Sequence, residues 1–490
     1  MAADAPFCPP ERRVYVLVAA ILASSMGFID GSVISIATPA IRADLGASLA
    51  EAQWVANGYL LMLSSLLLIG GAAGDRFGTR DVFAVGIAAF VLASLASAIA
   101  PNPMVLIAAR VLQGIGAAVM VPASLAIIAK AYPKAERGAA IGIWASASSL
   151  TTIAGPIVGG FLLTALGDWS WRLVFAVNLP LGAAALALLL WQVPADAPEP
   201  GRRLDLVGGG LATVALLLIA LGLTGEGTAL PVMFGLLAVG LVLAVLFILW
   251  ERRTAAPMVP PRLFADRAFS GAQALTFALY FALAAITFYL PMTMIAGWGA
   301  TPFEVSISLL PLGVALTVLS PFAGRFADRI GPGPMIAAGS FVVAVAFLLM
   351  GLLAHTHSVW FTIVPLMALF GLGMGLVVSP LSTAVMTSVV DHDTGTASGI
   401  NNAVARVAGL LAVASMGGLG AFVFASALGG VGDLSFGLAP QTPLLPDQEA
   451  ARVAATDQAF ATIALVCAAL SVLSGLIAWF TLDRKLTPKS

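Results

Sequence analysis

Apolar segments of about 20 residues, each long enough to carry a helix across a bilayer, recur along the whole chain between short charged breaks. In the bilayer every backbone polar group must be satisfied within the span, so such segments fold as helices. The candidate spans are 14–41, 53–73, 82–100, 104–127, 138–163, 173–193, 204–224, 231–250, 268–294, 304–325, 333–353, 359–379, 395–424 and 457–480. A membrane barrel would instead show short alternating strands, and that pattern is missing. With 60% hydrophobic and only 10% charged residues, the chain lacks the charge to cover a water-facing surface, so the expected fold is an all-α integral membrane protein. The first run, Val14 to Ile41, exceeds the apolar core of a secretory signal and reads as a retained span.

The distribution of cations orients these spans. With the N-terminus inside, eighteen of the 23 Lys and Arg fall at cytoplasmic positions. They are Arg12, Arg13, Arg76, Arg80, Lys130, Lys134, Arg137, Arg202, Arg203, Arg252, Arg253, Arg262, Arg267, Arg325, Arg329, Arg484, Lys485 and Lys489. Only Arg42, Arg172 and Arg452 fall outside, and Arg110 and Arg406 lie within spans. Both termini are therefore expected in the cytoplasm of a multi-pass plasma (inner) membrane protein, which requires an even number of spans.

The chain also repeats itself. Gly71-x-x-x-Asp75-Arg76-x-Gly78 recurs as Gly324-x-x-x-Asp328-Arg329-x-Gly331. Gly114-Ile115-Gly116 before Pro122 recurs as Gly371-Leu372-Gly373 before Pro380, and Gly138-x-x-x-Gly142 as Gly395-x-x-x-Gly399. Three matches in order indicate two related six-helix halves, the arrangement by which many secondary transporters rock two bundles around a midplane site. The spans at 204–224 and 231–250 have no counterpart and read as an inserted hairpin. The expected organisation is an N-terminal bundle (1–203), the hairpin (204–251) and a C-terminal bundle (252–490).

These motifs resemble the major facilitator superfamily, and within it the fourteen-span drug:proton antiporter branch. Gly71 to Arg80 looks like motif A, with Ala73 for the usual Leu and Thr79 for a usual cation. Arg110-Val-Leu-Gln113-Gly114-Ile-Gly116 is similar to motif B, and Gly155-Pro156-Ile-Val-Gly159-Gly160 to the antiporter motif C, where Gly142 also matches but Thr151 replaces a usual Gly. Ile29-Asp30-Gly31 through Pro39 resembles the branch's first-span motif, with Ser35 for its usual Asn. The resemblance covers essentially the whole chain. It implies export of small molecules by alternating access, driven by a proton gradient and without a cofactor.

Asp30 is the one carboxylate placed deep in a span, where an ionised group is costly unless paired or hydrated. At 1.5 Å rise per residue it lies roughly 16 Å and Arg110 roughly 9 Å below the outer helix ends, within reach of one another if spans one and four are neighbours. Burial disfavours the ionised carboxylate and the guanidinium favours it, so the pair is the expected proton-coupling site, with a lipophilic cation competing for the same carboxylate. Glu304 and Asp457, near outer helix ends, are candidates for a second proton site, with a solvated helix terminus as the simpler reading.

Other in-span residues are candidates for holding substrate. Phe277, Tyr280, Phe281 and Phe288 share one face of span nine, which in the superfamily lines the central cavity, and aromatic rings there can hold a lipophilic cation. Asn57, Gln113, Asn178, Asn401, Asn402 and Arg406 are further polar groups within spans. Asp75, Arg76, Gly78 and Arg80, with Asp328 and Arg329, sit at inner turns where guanidiniums can bridge the two bundles as a breakable latch. Gly155, Pro156, Gly159 and Gly160 remove bulk and one helix hydrogen bond, permitting close packing and a kink during gating.

Other function classes fit poorly. A net charge of -1 offers no footprint for nucleic acid, and two cysteines with three histidines build no metal or disulfide framework. His355, His357 and His392 fall at span ends or loops without a nucleophile beside them, so an enzyme is not expected. The expected partners are small-molecule substrates, protons and the lipid bilayer, with the chain acting as a monomer. A multidrug exporter is the leading expectation, and an exporter of one metabolite, antibiotic or lipid-like compound is its rival.

Overall fold

The computed structural model describes residues 7–198, 201, 204–224, 229–429, 434–440 and 442–482, with the side chains of Asp328 and Asp391 left out. Arg202, Arg203, Arg484, Lys485 and Lys489 lie outside this range.

Among the described residues, fourteen helices are long and apolar enough to span a membrane. They are α1 (Arg13–Leu45), α2 (Leu49–Phe77), α3 (Thr79–Ala98), α4 (Pro103–Ala131), α5 (Lys134–Leu166), α6 (Asp168–Gln192), α7 (Leu206–Thr224), α8 (Leu230–Glu251), α9 (Arg267–Gly297), α10 (Pro302–Ala327), α11 (Pro332–Leu352), α12 (Val359–Thr387), α13 (Thr394–Leu428) and α14 (Pro446–Thr481). Hydropathy locates every one of them, and local chemistry sets the ends. Ser48 with Glu51 and Thr301 with Glu304 form capping boxes on α2 and α10, while Asn102 accepts the Val105 N–H at the start of α4. Glu304 is thus a helix cap, as its position suggested.

Most ends shift by five residues or fewer, α12 runs on to Thr387 past the expected 379, and one boundary moves further. The last helix begins at Pro446 rather than at 457, because its polar first turns are neutralised in place. Arg452 pairs with Glu449 at 2.6 Å and donates to the carbonyl oxygens of Ala296 and Gly297. Asp457 is likewise no solvated terminus. It accepts hydrogen bonds from Trp298 Nε1 and His357 Nε2, each at 2.8 Å.

The two halves repeat the same packing. In the first, α4 packs on α2 and α3, and α1 packs on α5 and α6; in the second, α12 packs on α10 and α11, and α9 on α13 and α14. Small residues allow these approaches, as membrane helices with no hydrophobic driving force between them require. A Cβ on Gly116 would come within 2.6 Å of the Phe90 nitrogen, and one on the repeat-related Gly373 within 2.7 Å of the Gly339 carbonyl oxygen. Gly78 and Gly331, at the two related turns, both take positive φ (97° and 89°), a conformation that disfavours side chains. The hairpin α7–α8 is an appendage. Its α7 lies against α2 of one half and α13 of the other, burying Ala220 with Leu61, Leu410 and Ala414, whereas α8 faces outward along almost its whole length.

The halves meet at α2 with α13, at α5 with α10 and at α1 with α9. These contacts concentrate at the face opposite the one where the described cations of the inner turns cluster, here termed the basic face. Phe303 N–H donates to Thr164 Oγ1 at 3.0 Å, and the Phe161 and Phe303 rings meet edge to face. Gln53 of α2 donates to Tyr289 Oη at 2.8 Å and to the Val413 carbonyl oxygen across the interface. Arg42, expected in the outer water, is buried and donates to the Phe436 carbonyl oxygen at 2.7 Å. The molecule is sealed at this face and open at the basic face.

Gly160 sits in the seal. A Cβ there would overlap Ser306 Oγ and approach the Pro302 carbonyl oxygen to 2.6 Å. Gly160→Leu is therefore expected to hold this face open, since overlap with backbone cannot be relieved by a rotamer change. A cysteine at the cavity-lining Ser32 should then react with an impermeant maleimide from the Gly160 side in G160L and only from the basic side in the parent, with the native Cys8 and Cys467 thiols buried in both.

Candidate functional site: a central cavity and a buried ion pair

A cavity of about 1510 Å³ lies between the halves and runs from mid-depth to the basic-face loops. Its walls come from α1, α2, α4, α5, α9, α10 and α13, with Asp205, Arg262 and Asp393 near the mouth. Most of the lining is apolar or small, as ligand sites for hydrophobic molecules commonly are.

Beside it lies a buried polar cluster that draws on five helices. Arg110 NH1 of α4 donates to Asp30 Oδ2 of α1 at 2.6 Å, and neither side chain is more than 1% exposed. The pairing expected from depth alone is present. Arg110 Nε also donates to the Val55 carbonyl oxygen at 2.9 Å, and NH1 to Gln113 Oε1 at 2.6 Å. Gln113 Nε2 completes the carboxylate's shell by donating to Asp30 Oδ1 at 3.1 Å and reaches Ser94 Oγ of α3 at 2.8 Å. Asn178 of α6 donates to the same hydroxyl at 3.1 Å. The guanidinium carbon stands 4.5 Å from the Tyr59 ring centre and 5.5 Å from that of Phe175, so aromatic faces supply the rest of its solvation. A buried ion pair is stable only when its remaining donors and acceptors are satisfied in this way.

The geometry separates the expected substrate residues into two groups. Tyr280, Phe288 and Arg406 line the cavity. Asp30, Asn57, Gln113, Asn178, Phe277, Phe281 and Asn401 do not. Asp30 is buried in this state, with its oxygens accepting from Arg110 and Gln113, and the member of the pair that borders the cavity is Arg110. Gln113 and Asn178 are consumed in the cluster, and Asn57 is buried without a hydrogen-bond partner for its amide. Asn401 accepts from Thr276 Oγ1 at 2.9 Å, leaving its neighbour Asn402 to face the cavity. The aromatic stripe of α9 splits, because the rings of Phe277 and Phe281 turn toward each other while Tyr280 and Phe288 turn to the cavity.

The expected latch residues bond within their own half in this state. Lys130 stands 3.6 Å from Asp75, 3.3 Å from Asp196 and 2.8 Å from Thr79 Oγ1. Arg80 pairs with Asp81 and donates to the Leu190 carbonyl oxygen at 2.9 Å. Arg76 stacks on Phe77, and Arg329 is exposed. No bridge to the other half is formed by these groups among the described residues, and the Asp328 side chain lies outside them. Asp196, which sequence reasoning passed over as a loop residue, caps α3 by accepting from Thr79 N and Arg80 N at 3.0 and 2.8 Å. Burial pushes its carboxyl up, but those two N–H groups and Lys130 outweigh this and hold it below the usual carboxylate range.

Gly155, Pro156 and Gly159 bring α5 against α1: a Cβ on Gly155 would meet Ser32 Oγ at 3.0 Å, and one on Gly159 would overlap Val33. Their neighbour Gly160 reaches across to α10, so this one motif packs a half internally and seals it against the other.

Comparison with known proteins agrees with this architecture. The family model described as Major Facilitator Superfamily matches residues 20–413. The chain is 35% identical to the puromycin resistance protein of Streptomyces alboniger, over 83% of this chain and 81% of that protein. It is 31% identical to the methylenomycin A resistance protein of Bacillus subtilis, over 82% and 87%. In fold it is similar to a bacterial homolog of the human lysosomal transporter Spinster, solved in an inward-facing, unoccupied conformation, with a TM-score of 0.65 and 17% identity over 98% of this chain and all of that one. The chain is thus a transporter rather than an enzyme: it is a multi-pass membrane protein that belongs to the major facilitator superfamily.

Proposed function

We propose that this protein exports drug-like small molecules in exchange for protons, and that the Asp30–Arg110 pair is where the proton acts. The basic face is read as cytoplasmic by the positive-inside rule, which makes the present state inward-open. The observation that carries the reading is an ion pair sealed from water whose cationic partner borders a large cavity. Protonation of Asp30 neutralises the carboxylate and frees Arg110 from its strongest partner. The freed guanidinium must then find a new acceptor, and the nearest open space is the cavity. Proton and cargo thus compete through Arg110 rather than by sharing the carboxylate. The relatives named for resistance to puromycin and methylenomycin A support export of antibiotics. The apolar cavity suits a range of such molecules, and the acidic side chain that a preference for cations would need at its centre is turned away. The chain carries both bundles and is proposed to act as a monomer, with the proton gradient as its energy source and no cofactor.

Two measurements test this. In cells expressing equal amounts of protein, resistance to a panel containing puromycin and methylenomycin A should be lost on Asp30→Asn and on adding a protonophore; unchanged efflux in D30N removes Asp30 from the mechanism, and efflux indifferent to the protonophore removes the proton. In detergent, Arg110→Gln should cost about 3–5 kcal/mol of stability by stranding a buried carboxylate, while the double variant D30N/R110Q regains most of it. Additive losses in that cycle would mean that the two groups do not act as a pair.

A further inference from the structure

Most charges that border the cavity are compensated. Arg110 is held by Asp30, Asp75 faces Lys130, and Arg262 pairs with Asp393 at 2.8 Å. Arg406 is different. It lies twelve residues into α13, roughly 18 Å from the basic-face end at 1.5 Å per residue, and lines the cavity near mid-depth. Its Nε is buried with no hydrogen-bond partner, and its guanidinium has no ion pair among the described residues.

The same chain shows how it treats an arginine that is only structural. Arg42 donates to the carbonyl oxygens of Ala47 and Phe436, and Arg452 to those of Ala296 and Gly297 as well as to Glu449. Among the described residues Arg406 has no such shell. A buried guanidinium N–H without a partner costs free energy, and an intramembrane charge that faces a cavity marks a ligand pathway. On the same face of α13, one turn away, Asn402 also points into the cavity, and around them lie Tyr59, Tyr280 and Phe288.

We propose that Arg406, assisted by Asn402, receives an acidic group on an otherwise apolar cargo, such as a carboxylate or an ionised phenol or enol. The planar fork of the guanidinium matches a carboxylate with two parallel hydrogen bonds, and the surrounding rings take the hydrophobic body. The same charge repels lipophilic cations, so the cavity selects organic anions over cations of equal size. This inference rests on the exporter reading and specifies the cargo class of that cavity.

The test uses the full chain in lipid nanodiscs and three ligands with one aromatic body: 2-naphthylacetate, 2-naphthylacetamide and (2-naphthylmethyl)trimethylammonium. Isothermal titration calorimetry should show the acid binding at least tenfold more tightly than the ammonium ion, with the amide between them. Arg406→Gln should abolish that preference while leaving amide affinity in place, and Arg406→Lys should keep part of it. Thermal unfolding of R406Q should occur no lower than in the parent, because the charge it removes had no partner. The proposal is overturned if the parent binds the ammonium ion as tightly as the acid, if none of the three binds, or if R406Q keeps the acid preference. A drop in unfolding temperature in R406Q, with all three affinities falling together, would also overturn it by assigning Arg406 a structural role. Efflux that survives D30N and the protonophore would instead sink the proton-coupled reading and leave this binding order untouched.

Discussion

The desolvation of one carboxylate and one guanidinium governs the first half of the molecule. Each ion costs several kcal/mol to bury even after relaxation, and their attraction repays this only when every other donor and acceptor is occupied. That requirement reaches well beyond α1 and α4. Gln113 must bridge Asp30 to Ser94, Ser94 must sit on α3, and Asn178 must come from α6 to share the same hydroxyl. With the Val55 carbonyl of α2, which accepts from Arg110, five helices are tied together around one ion pair. In the proposed mechanism a change in protonation at Asp30 would be felt by each of these helices, which is what a rigid-body rocking mechanism requires of a trigger.

Among the described residues the second half has no such cluster, and the asymmetry is informative. The packing of helices is the same in both halves, as the shared Gly contacts and the paired turns of Gly78 and Gly331 show. What differs is the polar content at equivalent depth: a satisfied ion pair on one side of the cavity and the solitary Arg406 on the other. A common scaffold inherited by repetition carries two chemistries, and both the proton site in the first half and the cargo contact in the second are proposals. The seal at the closed face joins them. Gln53 of the first half reaches Tyr289 and Val413 of the second, and Gly160 admits Ser306 to backbone distance.

Much of this was legible in the sequence because the bilayer leaves so few options. Fourteen spans, the internal repeat and the depth match of Asp30 with Arg110 follow from apolar length, recurrence of Gly and Asp-Arg patterns, and the rise of a helix. What escaped is the rotation of each helix. Asn401 and Asn402 differ by about 100° around α13, and only one can face the cavity. No pattern in a helix that is apolar on all sides distinguishes them. Phe277 and Phe281 were lost from the cavity for the same reason. Asp196 and Gln53 escaped for another: their partners lie 117 and 236 residues away in the chain, and no local spacing announces such contacts. The early start of α14 was hidden because Glu449 and Arg452 read as loop chemistry until each is seen to neutralise the other.

The proposed cargo class changes the energetics of the cycle. Moving one elementary charge through the membrane potential is worth about 2.3 kcal/mol per 100 mV. Exchange of a proton for a monovalent cation moves no net charge and draws only on the pH difference. Exchange for an anion moves a positive charge inward and a negative one outward, so the inside-negative potential drives both legs and supplies about twice that amount per turnover. The empty cavity of the inward-open state then carries the positive charge of Arg406, and the loaded one does not. The anion that neutralises Arg406 removes the cost of holding a bare guanidinium as the cavity closes around it. A cation would instead add a second uncompensated charge to the same enclosed space. Closure would thus be favoured by the cargo that the potential already helps to expel.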